Sequence, residues 1–164
     1  MYNRSGKRID ILIKVLRKDL GEMKIVLAGT GSKLPSKVLT NDDLARIVVV
    51  GTSTPDKRFP NTACEIQALL GVSECVGIDV SAACSGFVYA LSVAYSMMNT
   101  LDIKNALVVG GDVLSRELDW SDRSTCVLFG DGAGAAVLKK EDGESGFISF
   151  DIGSDGSKGA ALYD

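Results

Sequence analysis

Apolar residues recur along this chain in two rhythms, and the switches between them predict alternating strands and helices. Residues 23–31 (MKIVLAGTG) are apolar and β-branched and end in glycines, as a buried strand does. Thr40 and Asp43 stand at capping-box spacing and open a short helix. Ile47–Val50 reads as a strand running into the turn Gly-Thr-Ser-Thr-Pro-Asp. Thr62–Leu70 is helical and stops at Gly71, and Val76–Val80 is a short strand. Cys84–Thr100 predicts a helix with Phe87, Ala90, Leu91, Ala94 and Met98 on one stripe. Asn105–Gly111 is another buried strand. Thr125–Lys139 is a strand pair or a strand bent around Gly130–Gly134. Such alternation implies an α/β fold, with a mixed, mostly parallel sheet and helices on its faces.

One junction breaks the pattern. The first helix, drawn to about Ile47, meets the strand near Val48 with no connecting residues. Helix-to-strand loops usually take about 2–6 residues, often with a glycine at the helix end. A chain lacking an internal segment would look like this, and so would a shorter helix.

Residues 1–22 stand apart from the rest. They carry six Lys/Arg against three acids, net +3, which leaves −6 on the other 142 residues. Ile9, Leu12, Ile13, Leu16 and Leu20 follow helical spacing. The segment is a basic amphipathic or disordered extension; a basic amphipathic helix can also lie on a membrane surface. Residues 23–164 form the organised domain.

Composition narrows the chemistry. The chain of 164 residues is 46% hydrophobic and 24% charged, in the globular range, with a net charge of −3. It offers no basic footprint for nucleic acid and no apolar run of membrane-spanning length. It contains no histidine, so it cannot itself supply a Ser-His-Asp triad, a Cys-His pair or an HExxH zinc site. Cys64, Cys75, Cys84 and Cys126 include no CxxC pair, and no metal site is expected. No secretory signal is evident, which places free thiols in a reducing compartment, the cytoplasm.

The chemistry concentrates at Asp79–Phe87 (DVSAACSGF). A strand ends, small residues bend the chain, and a long helix begins at a cysteine. That arrangement exposes Sγ of Cys84 at the carboxyl end of the sheet and at a helix N-terminus, where the helix dipole favours thiolate. A buried structural cysteine fits the same pattern. Cys64 in a helix and Cys126 in a strand read as core residues, and Glu74 beside Cys75 disfavours a thiolate there. The GDGAG run lacks the remainder of a phosphate loop and reads as backbone geometry at a bend.

At these residues the chain resembles the N-terminal half of β-ketoacyl-acyl-carrier-protein synthase III, a thiolase-fold condensing enzyme. The matching stretches are MKIVLAGTGSKLPSKVLTNDDLARIV, GTSTPDKRFPNTACEIQALLG, DVSAACSGFVYAL, NALVVGGDVLS and DWSDRSTCVLFGDGAGAAVL, with the closing SDG. They run in order through most of residues 23–164.

The resemblance implies a thiolase-like half domain and a reaction. Cys84 accepts an acyl group from acetyl-CoA or another acyl-CoA. A carbanion from decarboxylated malonyl-acyl carrier protein then attacks the thioester, initiating fatty acid synthesis. CoA enters as a thioester substrate and no cofactor is implied. By resemblance, the Cys84 backbone N–H is half of an oxyanion hole and Arg123 contacts the CoA nucleotide. Phe59 inserts toward the acyl pocket of a second subunit, and Phe129 lines the pocket wall. Ordinary packing for the two phenylalanines, and a solvated charge for Arg123, are the plainer readings.

The departures are equally specific. Family members carry a segment between the first helix and second strand, with a tryptophan for the CoA adenine; here Val48 joins Val49 without it. Trp120, the single tryptophan, belongs to another motif. The half bearing the histidine, the asparagine and the second oxyanion donor has no counterpart here. A homodimer or a complementary second half is therefore the expected partner. A non-catalytic remnant, an interaction subunit and a split enzyme are the rival readings.

Overall fold

The computed structural model describes residues 23–31, 45–143 and 146–161. The amphipathic stripe of residues 1–22 and the helix opened by Thr40 lie outside these residues.

Five strands form one sheet in the order β1-β5-β4-β2-β3. They are β1 (Met23–Gly31), β2 (Ile47–Gly51), β3 (Val76–Val80), β4 (Asn105–Val113) and β5 (Asp131–Asp142). β4, β2 and β3 are parallel neighbours, and β5 runs antiparallel to both β4 and β1. Four strands therefore point one way and β5 opposes them, a mixed and mostly parallel sheet. Among the described residues two α-helices cover it. α1 (Thr62–Leu69) lies beside β2 and β3, and α2 (Gly86–Thr100) lies across β2 and β4.

The all-apolar β2 (IVVVG) is the centre of the fold, since Ile47, Val48 and Val49 are fully buried. Its alternation sends Ile47 and Val49 to one face and Val48 and Val50 to the other. The first pair meets Ala90, Ala94 and Met98 of α2, Ala106 and Val108 of β4, and Leu138 of β5. The second pair meets Ala63 of α1. The helical stripe predicted for α2 is thus the face it buries. Tyr95 extends the core outward by packing against Phe147 and Phe150 of the C-terminal segment, with ring centroids 5.9 and 5.4 Å away.

Four expectations change. Ile47 belongs to β2 and Ala45 and Arg46 are not helical, so the first helix cannot extend to Ile47. Val76 N–H bonds to the Arg46 carbonyl, and Arg46 N–H to the Asn105 carbonyl, which draws this segment into the parallel ladder. Residues 125–128 are turn and 129–130 irregular rather than strand, because the Cys126 N–H bonds back to the Asp122 carbonyl at 3.1 Å; β5 begins only at Asp131. α2 starts at Gly86, after a 3-10 turn over Ala83–Ser85, so Cys84 precedes the helix. β4 continues two residues past Gly111, to Val113. Among the described residues no helix is long and apolar enough to cross a membrane.

Candidate active site

β3 delivers the chain to Ser81 at the carboxyl end of the sheet, where the Thr52 N–H bonds to the Val80 carbonyl at 3.1 Å. A sharp reversal follows. Ala83 has φ +44, a left-handed conformation that costs a non-glycine residue about 1 kcal/mol. The Ser85 N–H closes the turn on the Ala82 carbonyl at 3.0 Å. Cys84 sits inside this turn, exposed, two residues before Gly86, the first residue of α2. This is a strand–tight turn–helix elbow carrying a nucleophilic atom, the arrangement that holds a side chain clear of its own backbone.

The sheet beneath the elbow is bare of side chains at two adjacent positions. Gly51 ends β2 and faces Gly110 of β4 in the parallel register. A Cβ built on Gly51 would lie 2.4 Å from the Gly86 carbonyl carbon, and one on Gly110 would lie 2.9 Å from Cβ of Phe87. The first turn of α2 therefore rests directly on strand backbone. Neither glycine stands out in the sequence as more than a strand terminus.

A carboxylate ties together the loops on the same edge. Asp112 Oδ1 accepts from Ser53 N at 2.7 Å, Thr54 N at 3.1 Å, Thr54 Oγ1 at 3.0 Å and Thr52 Oγ1 at 3.2 Å. Thr54 Oγ1 in turn accepts from Val113 N at 2.8 Å. Arg116 reaches the same loop, donating to Asp56 at 2.6 Å and to the Thr54 carbonyl at 3.3 Å. The signal for this hub is an Asp at the end of one strand facing Thr-Ser-Thr just after its neighbour, which sequence reading passed over. Beside it lies an open cavity of about 260 Å³ whose lining includes Val50, Ile66, Val109, Asp112 and Arg116. It is on the α1 side of the sheet, and Cys84 does not line it.

The other residues singled out by resemblance stand on turns around this edge. Phe59 is 84% exposed on the loop before α1, and its bond to Pro60 is cis. Arg123 is exposed in the turn between β4 and β5, and Phe129 is 38% exposed at the end of that turn. Trp120 shares the turn, its indole N–H donating to the Ser115 carbonyl at 3.3 Å. Short Asp-to-Ser bonds shape the segment. The Ser121 hydroxyl, then its N–H, hold the Asp119 carboxyl below the usual carboxylate range. The hydroxyls of Ser124 and Thr125 do the same to Asp122, and the N–H and hydroxyl of Ser115 to Asp131.

The other cysteines divide differently from expectation. Cys64 is exposed on the first turn of α1 rather than in the core. Cys126 is half-buried in a turn, not in a strand. Cys75 is half-buried and burial pushes its thiol up, so desolvation rather than Glu74 opposes its thiolate. Among the described residues no cluster of three Cys, His, Asp or Glu side chains could hold a metal ion.

Comparison with known proteins converges on one family. The model of 3-oxoacyl-[acyl-carrier-protein] synthase III matches residues 78–156, the stretch that holds the elbow. A β-ketoacyl-[acyl-carrier-protein] synthase III of Xanthomonas oryzae pv. oryzae is 44% identical over 188 residues, covering 84% of this chain and 58% of the relative. The enzyme of that name from Rhizorhabdus wittichii is 51% identical over 118 residues, 71% of this chain and 37% of its own.

Among solved structures, the synthase III of Thermus thermophilus aligns with TM-score 0.69 at 43% identity, over 73% of this chain and 37% of that one. The Pseudomonas aeruginosa synthase III gives TM-score 0.70 at 35% identity, over 82% and 58%. The chain spans 58% of the length of the Xanthomonas oryzae relative. In that match, 84% of 164 residues is about 138, against 188 aligned residues, so about 50 positions of the relative lack a counterpart here. The sequence motifs, the sheet with its elbow and these matches make the chain similar, over most of its length, to the β-ketoacyl-acyl-carrier-protein synthase III enzymes.

Proposed function

We propose that this chain carries the acyl-accepting half of a ketoacyl synthase III, with Cys84 as the nucleophile. The observation that supports the reading is the exposed Cys84 in a strained turn at the carboxyl end of β3 and the head of α2. Its Sγ, as thiolate, attacks the carbonyl carbon of acetyl-CoA or another acyl-CoA. The tetrahedral oxyanion collapses, the carbon–sulfur bond to CoA breaks, and CoA leaves as a thiolate that takes a proton from water. Backbone N–H groups at the turn supply part of the oxyanion stabilisation. Arg123 receives the CoA nucleotide, and Phe59 and Phe129 border the acyl chain. CoA is a substrate in this scheme, and the reaction is cytoplasmic.

Condensation requires more. Decarboxylation of malonyl-acyl carrier protein leaves a carbanion that attacks the Cys84 thioester and releases the thiolate. No imidazole in this sequence can assist that step. A segment absent beyond Val48 would fit the unmatched positions of the Xanthomonas oryzae alignment and would remove part of the CoA grip. The proposed partner is a second copy, paired through the edge strand β3, or a separate chain bearing the histidine half.

A second reading, a non-catalytic interaction subunit, draws support from the lack of histidine and from the exposed Val127, Leu128 and Trp120. Acylation separates the two. With one oxyanion donor absent, a loss of about 10²–10³ in rate is expected. Slow, Cys84-dependent labelling by acetyl-CoA supports the first reading, and no labelling supports the second. Ketoacyl product formed by this chain alone would overturn the need for the other half.

A further inference from the structure

The geometry points to Gly110, acting through Phe87, as a positioning residue for Cys84, with Gly51 completing the seat. The inference rests on the reading of Cys84 as acyl acceptor. Gly110 and Gly51 are partners across the parallel β4–β2 ladder, so together they form a patch of sheet with no side chains. Onto this patch comes the start of α2. Gly86 backbone lies over Gly51, and Phe87 lies over Gly110, where a Cβ would be 2.9 Å from Cβ and 3.0 Å from Cδ2 of the ring. Real Cβ atoms do not tolerate such approaches, and Phe87 cannot yield easily, because it also packs against the main core.

The same contact fixes the elbow. Cys84 is only three residues before Phe87, and the intervening turn is already committed by Ala83 at φ +44 and by the Ser85–Ala82 bond. A turn with so little slack passes a displacement of Phe87 directly to Cys84. Adding one methyl at Gly110 therefore lifts the head of α2 from the sheet and shifts Sγ relative to the amide donors around it. Geometry of this kind governs the transition state more than substrate capture. Gly134 is the control position. It pairs with Gly110 on the opposite side, across β5, and a Cβ there meets nothing within 4 Å.

The test compares Gly110→Ala, Gly134→Ala and the parent chain. Single-turnover labelling by acetyl-CoA is followed across donor concentration, and alkylation of Cys84 and Cys64 by iodoacetamide is mapped by peptide mass spectrometry. Gly110→Ala is expected to lower the maximal labelling rate at least tenfold. The half-saturating concentration should move less than threefold. Cys84 alkylation should slow several-fold while that of Cys64, on α1, stays within twofold. Gly134→Ala should match the parent.

Equal slowing of Cys84 and Cys64, or no change in either, would overturn the assignment. If Gly110→Ala fails to fold, Phe87→Ala decides. It removes the ring from the seat and should slow Cys84 selectively; a parent-like Cys84 rate in that variant counts against the proposal. Absence of acyl labelling in the parent chain refutes the functional reading instead, while the alkylation contrast still judges the seat.

Discussion

The α2 face of the sheet and the α1 face are finished in different ways. On the first, a 15-residue helix buries Ala90, Ala94 and Met98 against three strands, and Phe147 closes over the outer side. On the second, an 8-residue helix lies against β2 and β3, with Val48, Val50 and Ala63 as the buried set. The cavity opens beside it, over Val109. Cys84 belongs to the closed face through α2. Phe59, Arg123 and Phe129 stand exposed on turns and belong to neither core cluster of the described residues. The contrast separates two tasks: packing fixes the residue proposed to react, whereas local polar bonds shape the turns proposed to touch substrate.

The largest expected effect tests the packing itself. Met98 is fully buried, and Met98→Ala should cost about 2–5 kcal/mol of unfolding free energy in urea titrations. Ile66→Ala, at a half-buried site on the α1 face, should cost less than half as much. Equal losses would break the distinction between the faces.

Thiol reactivity sharpens it next. Cys84 should be the fastest of the four cysteines to alkylate in the folded chain, about tenfold or more ahead of Cys75, whose thiol burial pushes up. Peptide mapping after short alkylation reads the order, and a faster Cys75 or Cys126 would remove Cys84 as nucleophile.

Association should be visible but weaker in its implications. β3 is an edge strand and the 127–129 turn is apolar and exposed, so light scattering at micromolar concentration should report dimers or larger species. A clean monomer would deny both surfaces a partner.

The smallest effect belongs to the polar turns. The folded chain holds Asp119, Asp122 and Asp131 below the ordinary carboxylate range. Their stabilisation is therefore fully present above the unfolded carboxyl value of about 4 and is lost as pH falls on through the lower folded values. Trp120, the single tryptophan, sits among them and reports the change. Its fluorescence should shift below about pH 4 before the far-ultraviolet circular dichroism of the sheet declines. Simultaneous loss of both signals would mean that the turn is held by the core after all.

How much of this was legible beforehand follows the same division. Strand β2 and the stripe of α2 were readable because an apolar run and a 3.6-residue period answer directly to burial. Gly71, predicted as the stop of α1, has φ +68 as a left-handed terminator should. The stretch after Asp122 was misread as strand because Val127, Leu128 and Phe129 are apolar; the nearby Asp122 and its bonds to Ser124 and Thr125 instead turn the chain there. The elbow around Cys84 was visible as small residues between strand and helix. Its seat was not, since the contact between Gly110 and Phe87 joins residues distant in sequence and leaves no local pattern. Asp112 escaped for the same reason: its four donors lie 58 to 60 residues away.

The most direct test of the central claim is transfer of a radiolabelled acetyl group from acetyl-CoA, followed by gel and peptide mapping of this chain and its Cys84→Ser variant. Slow labelling confined to the Cys84 peptide, and lost in Cys84→Ser, is the expected result. Label that is absent, or equal in the two proteins, would contradict the account.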